Sequence, residues 1–299
     1  MSLINNFNCH ASLKTAHTQQ FRKNENEIRE EFDSMNIQRK NYQKKLYSKF
    51  SKIGRLQENK GLNRIKHLYP HDNTLVSVEN GYINANFAYG HKYIQTEAPL
   101  QKTLKTFWEM IAKKNVKTIV MLNELSERTI FPYWPEKEGL WKSYGAVSVK
   151  VLGKEKISVP GKHKTAVIQQ RKMLIKTTAD GHPREITHLH YANWTDGKAP
   201  QEGGILKLIS KVRKAQSKSK APIAVHCFAG VGRTATFCLL DKGKQEIEKG
   251  KPFIIKKSVL FQRSPITGRS PFMFTKDQYV ASHRILKNLH KKTPFYAGD

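Results

Sequence analysis

The segment PIAVHCFAGVGRTATFCLLD, residues 222–241, constrains this chain more than any other stretch. A short apolar run, Ile223 to Val225, ends at His226-Cys227; Gly230 and Gly232 follow, and from Arg233 the pattern turns helical. Buried strand, tight loop and helix N-terminus in that order point successive main-chain N–H groups at one spot, and the helix dipole favours negative charge there. Glycine supplies the positive φ values that such a nest requires, and the planar fork of Arg233 suits two oxygens of a tetrahedral anion. Phe228, Ala229, Gly230, Val231 and Gly232 form the wall of the expected cradle. Cys227 at its base would feel the same positive potential, which favours a nucleophilic thiolate, with Thr234 placed to hydrogen-bond the sulfur or its leaving state. Cys9 and Cys238, one in a polar terminal stretch and one on a helix face, carry no such context. Three cysteines without framework spacing argue against an extracellular disulfide scaffold and for a reducing, cytoplasmic setting.

Elsewhere the periodicities alternate between helix and strand. Ile28, Phe32, Met35 and Ile37 recur at helical intervals, whereas residues 1–20 show little pattern and are expected to be loosely held. LVSV from Leu75, GYINANF and KTIVML read as strands, and Leu104, Phe107, Trp108 and Ile111 share one face of a helix between them. Alternating strands with Gly, Pro and Asp turns fill Gly145 to His190; helices follow Pro200 and Arg233, and a basic helix closes the chain. The economical reading is one α+β domain over 21–292, a central twisted mixed β-sheet flanked by α-helices, with a flexible segment at 1–20 and a short tail at 293–299.

Fifty-three Lys+Arg against 24 Asp+Glu give a net charge of +29, a field that draws anions of any kind. Acidic or phosphorylated proteins, anionic membrane lipid and RNA all match its sign, so the charge names no partner without a site. No apolar run reaches the roughly eighteen residues of a membrane-spanning helix. His188 and His190 alternate along a strand as ordinary sheet residues, and no ligand cluster calls for a metal; no cofactor is expected.

The chain resembles the cysteine-based protein tyrosine phosphatases, whose signature joins His-Cys, a glycine-bearing loop and Arg-Ser/Thr. Further segments follow in the family's order: IREEFDSM, LNRIKHLYPHD, GYINANF, HKYIQTEAPLQKTLKTFWEMI, IVMLNELSE, YWP, HLHYANWTDGKAP and FTKDQY. The resemblance implies a single-domain phosphatase fold, a monomer, and hydrolysis of phosphotyrosine in proteins. Position by position it makes Cys227 the nucleophile that forms a phosphocysteine and Arg233 the phosphate-binding residue. Asp196 matches a general acid on a mobile loop, a role the chemistry needs because the ester oxygen leaves poorly unless protonated. Glu127 matches an acid that orients the arginine, and His226 a brace for the loop rather than a base. Arg64 and Ile65 fall in the substrate-recognition loop and Gln278 at a late glutamine.

Departures cluster at recognition and at the second chemical step. Ile65 stands where the family has an aromatic that stacks on the phosphotyrosine ring, and His67 where an Asp often anchors the substrate backbone. Thr195 and Gly197 replace a proline and an aromatic around the acid, which implies a freer, less shielding loop. Phe274 occupies the place of a water-positioning glutamine, for which Gln278 is the candidate substitute, so hydrolysis of the phosphoenzyme is expected to be slow. These changes leave room for a phosphoinositide or RNA 5′-phosphatase, although Phe228, Ala229 and Val231 bring no lysine into the loop, and for a weakly active binder that traps phosphoproteins. The compact chain would suit a virus- or pathogen-encoded enzyme working in host cytoplasm.

Overall fold

A computed structural model describes residues 12–79, 81–217, 219–264, 267–269 and 275–293, with only the backbone given for 38–48. Eight strands form one mixed sheet: β1 (Ala85–Ala88), β2 (Tyr93–Glu97), β3 (Thr118–Met121), β4 (Trp141–Tyr144), β5 (Val147–Val159), β6 (Ala166–Thr177), β7 (Arg184–Tyr191) and β8 (Ile223–Cys227). Their spatial order is β1-β2-β8-β3-β7-β6-β5-β4. β2, β8, β3 and β7 run parallel through the centre, while β1 and the β4-β5-β6 meander pair antiparallel at the flanks. The central strands TIVM and IAVHC are buried at every residue, because parallel strands are covered on both faces and carry no polar alternation. β5 alternates over its first half, as a strand with one solvated face must.

Helices cover both faces. α3 (Leu104–Lys113) buries Phe107, Trp108, Met110 and Ile111 against one face. On the other lie α2 (Glu25–Phe50), α4 (Glu202–Gln216), α5 (Gly232–Glu248), α6 (Ile255–Arg263) and α7 (Lys276–Lys292). This is the α+β arrangement that the sequence predicts.

Several local expectations change. Residues 12–20, expected to be loose, form a helix, α1, whose His17 and Gln20 are buried and hydrogen-bond the Phe253 carbonyl at 2.9 and 2.6 Å. Polar anchoring of this kind leaves no apolar period to read. LVSV is no strand: Leu75 makes a single bridge to Asn86, and the Val76 amide donates to the Ala85 carbonyl. In α2, Ile28, Phe32 and Met35 turn inward, but Ile37 is 65% exposed and off the buried stripe. Cys9 and all of the tail beyond Thr293 lie outside the described residues. Among the described residues no helix is long and apolar enough to cross a membrane.

Candidate active site

The site lies at the C-terminal edge of the parallel strands, where α/β sheets commonly place ligands. β8 delivers Cys227 there, buried and level with Glu97 at the end of β2. The chain then turns through Phe228–Val231 into α5, whose N-cap Val231 has no side-chain oxygen to take the first-turn N–H groups. Gly230 makes the turn possible: φ is +70°, and a Cβ there would stand 2.3 Å from the Thr96 carbonyl oxygen. The Ala98 amide, donating to the Phe228 carbonyl at 3.2 Å, ties the loop to the strand beside it.

Arg233 is fully buried, and its guanidinium gathers the parts that the sequence reading singled out. Nη1 and Nη2 donate to Glu127 Oε1 and Oε2 at 2.5 and 2.8 Å, a bidentate pair, and Nη1 also donates to the Trp194 carbonyl at 2.8 Å. Asp196 Oδ1 lies 3.1 Å from Nη2, with two thirds of its side chain exposed. Burial works against the guanidinium charge, but the Glu127 hydrogen bonds and the Cys227 and Asp196 charges hold its pKa above the ordinary arginine value. Thus one cation links the cysteine loop, Glu127 and the Asp196 loop.

Asp196 sits in a loop with more ties than its departures suggested. Thr195 Oγ1 donates to Glu124 Oε1 at 3.0 Å, a bond that a proline could not make. Gly197, at φ +70°, turns its carbonyl to accept from Thr275 Oγ1 at 2.7 Å. Lys198 O accepts from Trp194 Nε1 at 2.8 Å and from Gln278 Nε2 at 3.4 Å. Gln278 Oε1 accepts from the Thr275 amide, so this side chain is occupied in capping α7 and holding the acid loop. Phe274 lies outside the described residues.

His226 is buried, and its Nε2 meets the Tyr133 hydroxyl at 2.7 Å; the same hydroxyl meets His188 Nε2 at 2.8 Å. Burial, helped by the His190, Arg64 and Arg233 charges, pushes the His226 pKa down to about 3, which makes it a neutral brace. His188 and His190 are therefore buried parts of the supporting layer, the latter meeting the Asn123 carbonyl at 2.9 Å. Thr234, expected to reach the sulfur, is buried, and its hydroxyl has no hydrogen-bond partner among the described residues.

The recognition loop also differs from expectation. Arg64 donates to the carbonyls of Ala98 (3.1 Å) and Pro99 (3.0 Å) and to Thr129 Oγ1 (2.6 Å), and its guanidinium stacks over Phe228 at 4.9 Å. These bonds clamp the loop to the cysteine cradle. Ile65 stands beside it, 37% exposed, as an apolar rim without a ring. Glu97, which sequence reasoning passed over, accepts the Arg64 amide on both oxygens at 3.0 and 3.1 Å. Burial raises its pKa to about 8 despite that amide and the nearby Arg269 and Arg64 charges. Nothing in the local string YIQTEAP signals this; the strand register beside Cys227 does.

A family model described as Protein-tyrosine phosphatase matches residues 59–288. The chain belongs to the protein-tyrosine phosphatase family. It is 34% identical over 246 residues to Tyrosine-protein phosphatase 69D of Drosophila melanogaster, a match that covers 77% of this chain and 16% of that one. To Tyrosine-protein phosphatase non-receptor type 2 of Homo sapiens it is 32% identical over 227 residues, 71% of this chain and 52% of the relative. This phosphatase-family chain thus spans about half, or less, of the length of these relatives. The solved structure of PTPN18 in complex with HER2 phosphopeptides superposes with a TM-score of 0.78 at 24% identity, covering 88% of this chain and 93% of that one, and so shares the fold.

Proposed function

We propose that residues 21–292 form a catalytic unit that hydrolyses phosphotyrosine in proteins through a phosphocysteine intermediate. The observation that carries this reading is the buried guanidinium of Arg233, held by Glu127, within 3.1 Å of Asp196 and at the start of the helix that follows the Cys227 loop. A phosphoryl dianion entering the cradle would take the N–H groups of the loop and the Arg233 fork. The Cys227 thiolate then attacks phosphorus, the P–O ester bond breaks, and Asp196 gives its proton to the departing tyrosyl oxygen. In the second half the Asp196 carboxylate takes a proton from water as that water attacks phosphorus, releasing inorganic phosphate and the thiolate. His226 holds the cradle in its neutral form and exchanges no proton. The family of the relatives, and the phosphopeptides bound by PTPN18, favour phosphoprotein substrates for this chain. Two buried free cysteines suit a reducing cytoplasm.

Purified protein incubated with a phosphotyrosine peptide tests the reading. Release of phosphate by the native chain, with turnover lost and peptide binding kept in Cys227→Ser, supports it. Equal turnover by Cys227→Ser would refute it.

A further inference from the structure

We propose that the cavity at the N-terminal ends of β2 and β8 is a second anion site, which takes a compact ligand carrying several phosphate groups. Cys227 and Glu97 end these two strands, whereas Tyr93 and Ile223 begin them, so the cavity lies about 13 Å from the catalytic edge, the rise of a five-residue strand. Its volume is about 560 Å³, within the usual range for small-molecule pockets, which is why a compact ligand fits it better than an extended polymer.

The charge of its lining is one-sided. Lys92, Lys113, Lys114, Arg213 and Lys220 line the cavity together with His91, and none of its described lining residues is acidic. Nearby carboxylates are already engaged: Glu79 with Lys113, Asp241 with Arg213 and the Tyr93 hydroxyl, and Glu246 with Lys242. Among the described residues Lys92, Lys114 and Lys220 carry no ion pair with a carboxylate. Lys92 is the informative member, because it is half-buried and its ammonium donates to the neutral Gln245 Oε1. Burial, followed by the Arg213, Lys242 and Lys249 charges, lowers its pKa to about 8. Lys92, Lys114 and Lys220 thus face the cavity without a carboxylate partner, and a ligand with several phosphates would offset the repulsion at Lys92 while giving each of these ammonium groups an acceptor. One phosphate could satisfy at most part of the set, whereas several on one small scaffold offer an acceptor to each of its members.

Calorimetric titration with inositol hexakisphosphate at physiological salt tests the site without relying on catalysis. The native chain should bind. Lys92→Gln/Lys220→Gln should bind about tenfold or more weakly, from the loss of two charge-assisted contacts. Lys114→Gln/Lys220→Gln, which leaves the half-buried lysine in place, should also weaken binding and guards against a folding defect in the first variant. Hydrolysis of an aryl phosphate should be unchanged in both, and hexakisphosphate should not compete with it. A second arm separates the sources of the phosphates. Vesicles of phosphatidylcholine with phosphatidylinositol bisphosphate that capture the protein, and release it to hexakisphosphate, identify a lipid headgroup. Binding of the soluble compound without vesicle capture identifies a soluble metabolite, and either result upholds the site. Unaltered affinity in both lysine variants, simple competition with aryl phosphate, or lysine-dependent binding of single-stranded RNA that hexakisphosphate cannot displace would overturn it.

Discussion

Glu127→Gln tests most sharply how the site is held. Glu127 gives Arg233 two parallel acceptors, at 2.5 and 2.8 Å, and Oε1 also accepts the Glu124 amide at 2.8 Å. The amide keeps one oxygen, turns an NH2 group toward the other guanidinium nitrogen and removes the negative charge. One charge-assisted hydrogen bond is lost outright, a loss of about 1.5–3 kcal/mol, or about 10- to 150-fold. Because Arg233 is to grip the phosphoryl group from the encounter through the transition state, the fall should appear in kcat/KM for p-nitrophenyl phosphate and as weaker vanadate binding. Glu127→Ala removes both bonds and leaves the buried guanidinium with the Trp194 carbonyl and an exposed Asp196. Its unfolding free energy should drop by about 3 kcal/mol, the low end for a broken buried pair because Glu127 is itself partly exposed. Urea unfolding measures the second effect and steady-state kinetics the first. Retention of kcat/KM within about twofold in both variants would refute the inference that Glu127 sets the arginine's position.

Three further outcomes follow from the site. Asp196→Asn should slow esters of poor leaving groups by about a hundredfold while slowing nitrophenyl esters much less; equal slowing across a leaving-group series would remove Asp196 as the acid. Glu97 has a folded pKa of about 8, raised from 4.5, so between those values the folded state holds a proton that the unfolded state has lost and stability declines as pH rises. Glu97→Gln should therefore gain melting temperature over the native chain by roughly 2 °C or more between about pH 5 and pH 8.5, and a constant gap across that range would contradict the buried protonated carboxyl. Thr275→Val loses the cap of α7 and the bond to the Gly197 carbonyl; it should lower stability by about 1 kcal/mol and kcat severalfold, whereas Thr275→Ser should restore both, and an unchanged kcat would show that this tether does not matter to the acid loop.

The central strand-loop-helix was legible because every element of it is local: the apolar run, the glycines and the first helical residue lie within a dozen positions. The likeness of the separate segments to a family also placed Asp196 and Glu127 in the site, and the structure brings both to Arg233. Contacts between distant residues were not legible. Thr195 looked like the loss of a proline until Glu124, 71 positions away, proved to accept its hydroxyl. Glu97 carries no local signal, and its tie to Arg64 of the recognition loop, like the bonds of the Arg64 guanidinium to the Ala98 and Pro99 carbonyls, exists only once the fold joins them. The docking of α1 escaped notice for a related reason, since His17 and Gln20 are buried by hydrogen bonds, which leave no hydrophobic period. α6 was missed because the apolar positions of its nine residues are split between a buried side, Ile255 and Val259, and an exposed one, Leu260 and Phe261.

Rapid acid quench of the native chain with a radiolabelled phosphotyrosine peptide tests the central claim most directly. Phosphate should appear on the protein within the first turnover, on the peptide that contains Cys227. The Phe274 replacement predicts that this species accumulates, with a burst of tyrosine release before a slower steady rate. Sustained turnover with no label on Cys227, or the same label in Cys227→Ser, would contradict the account.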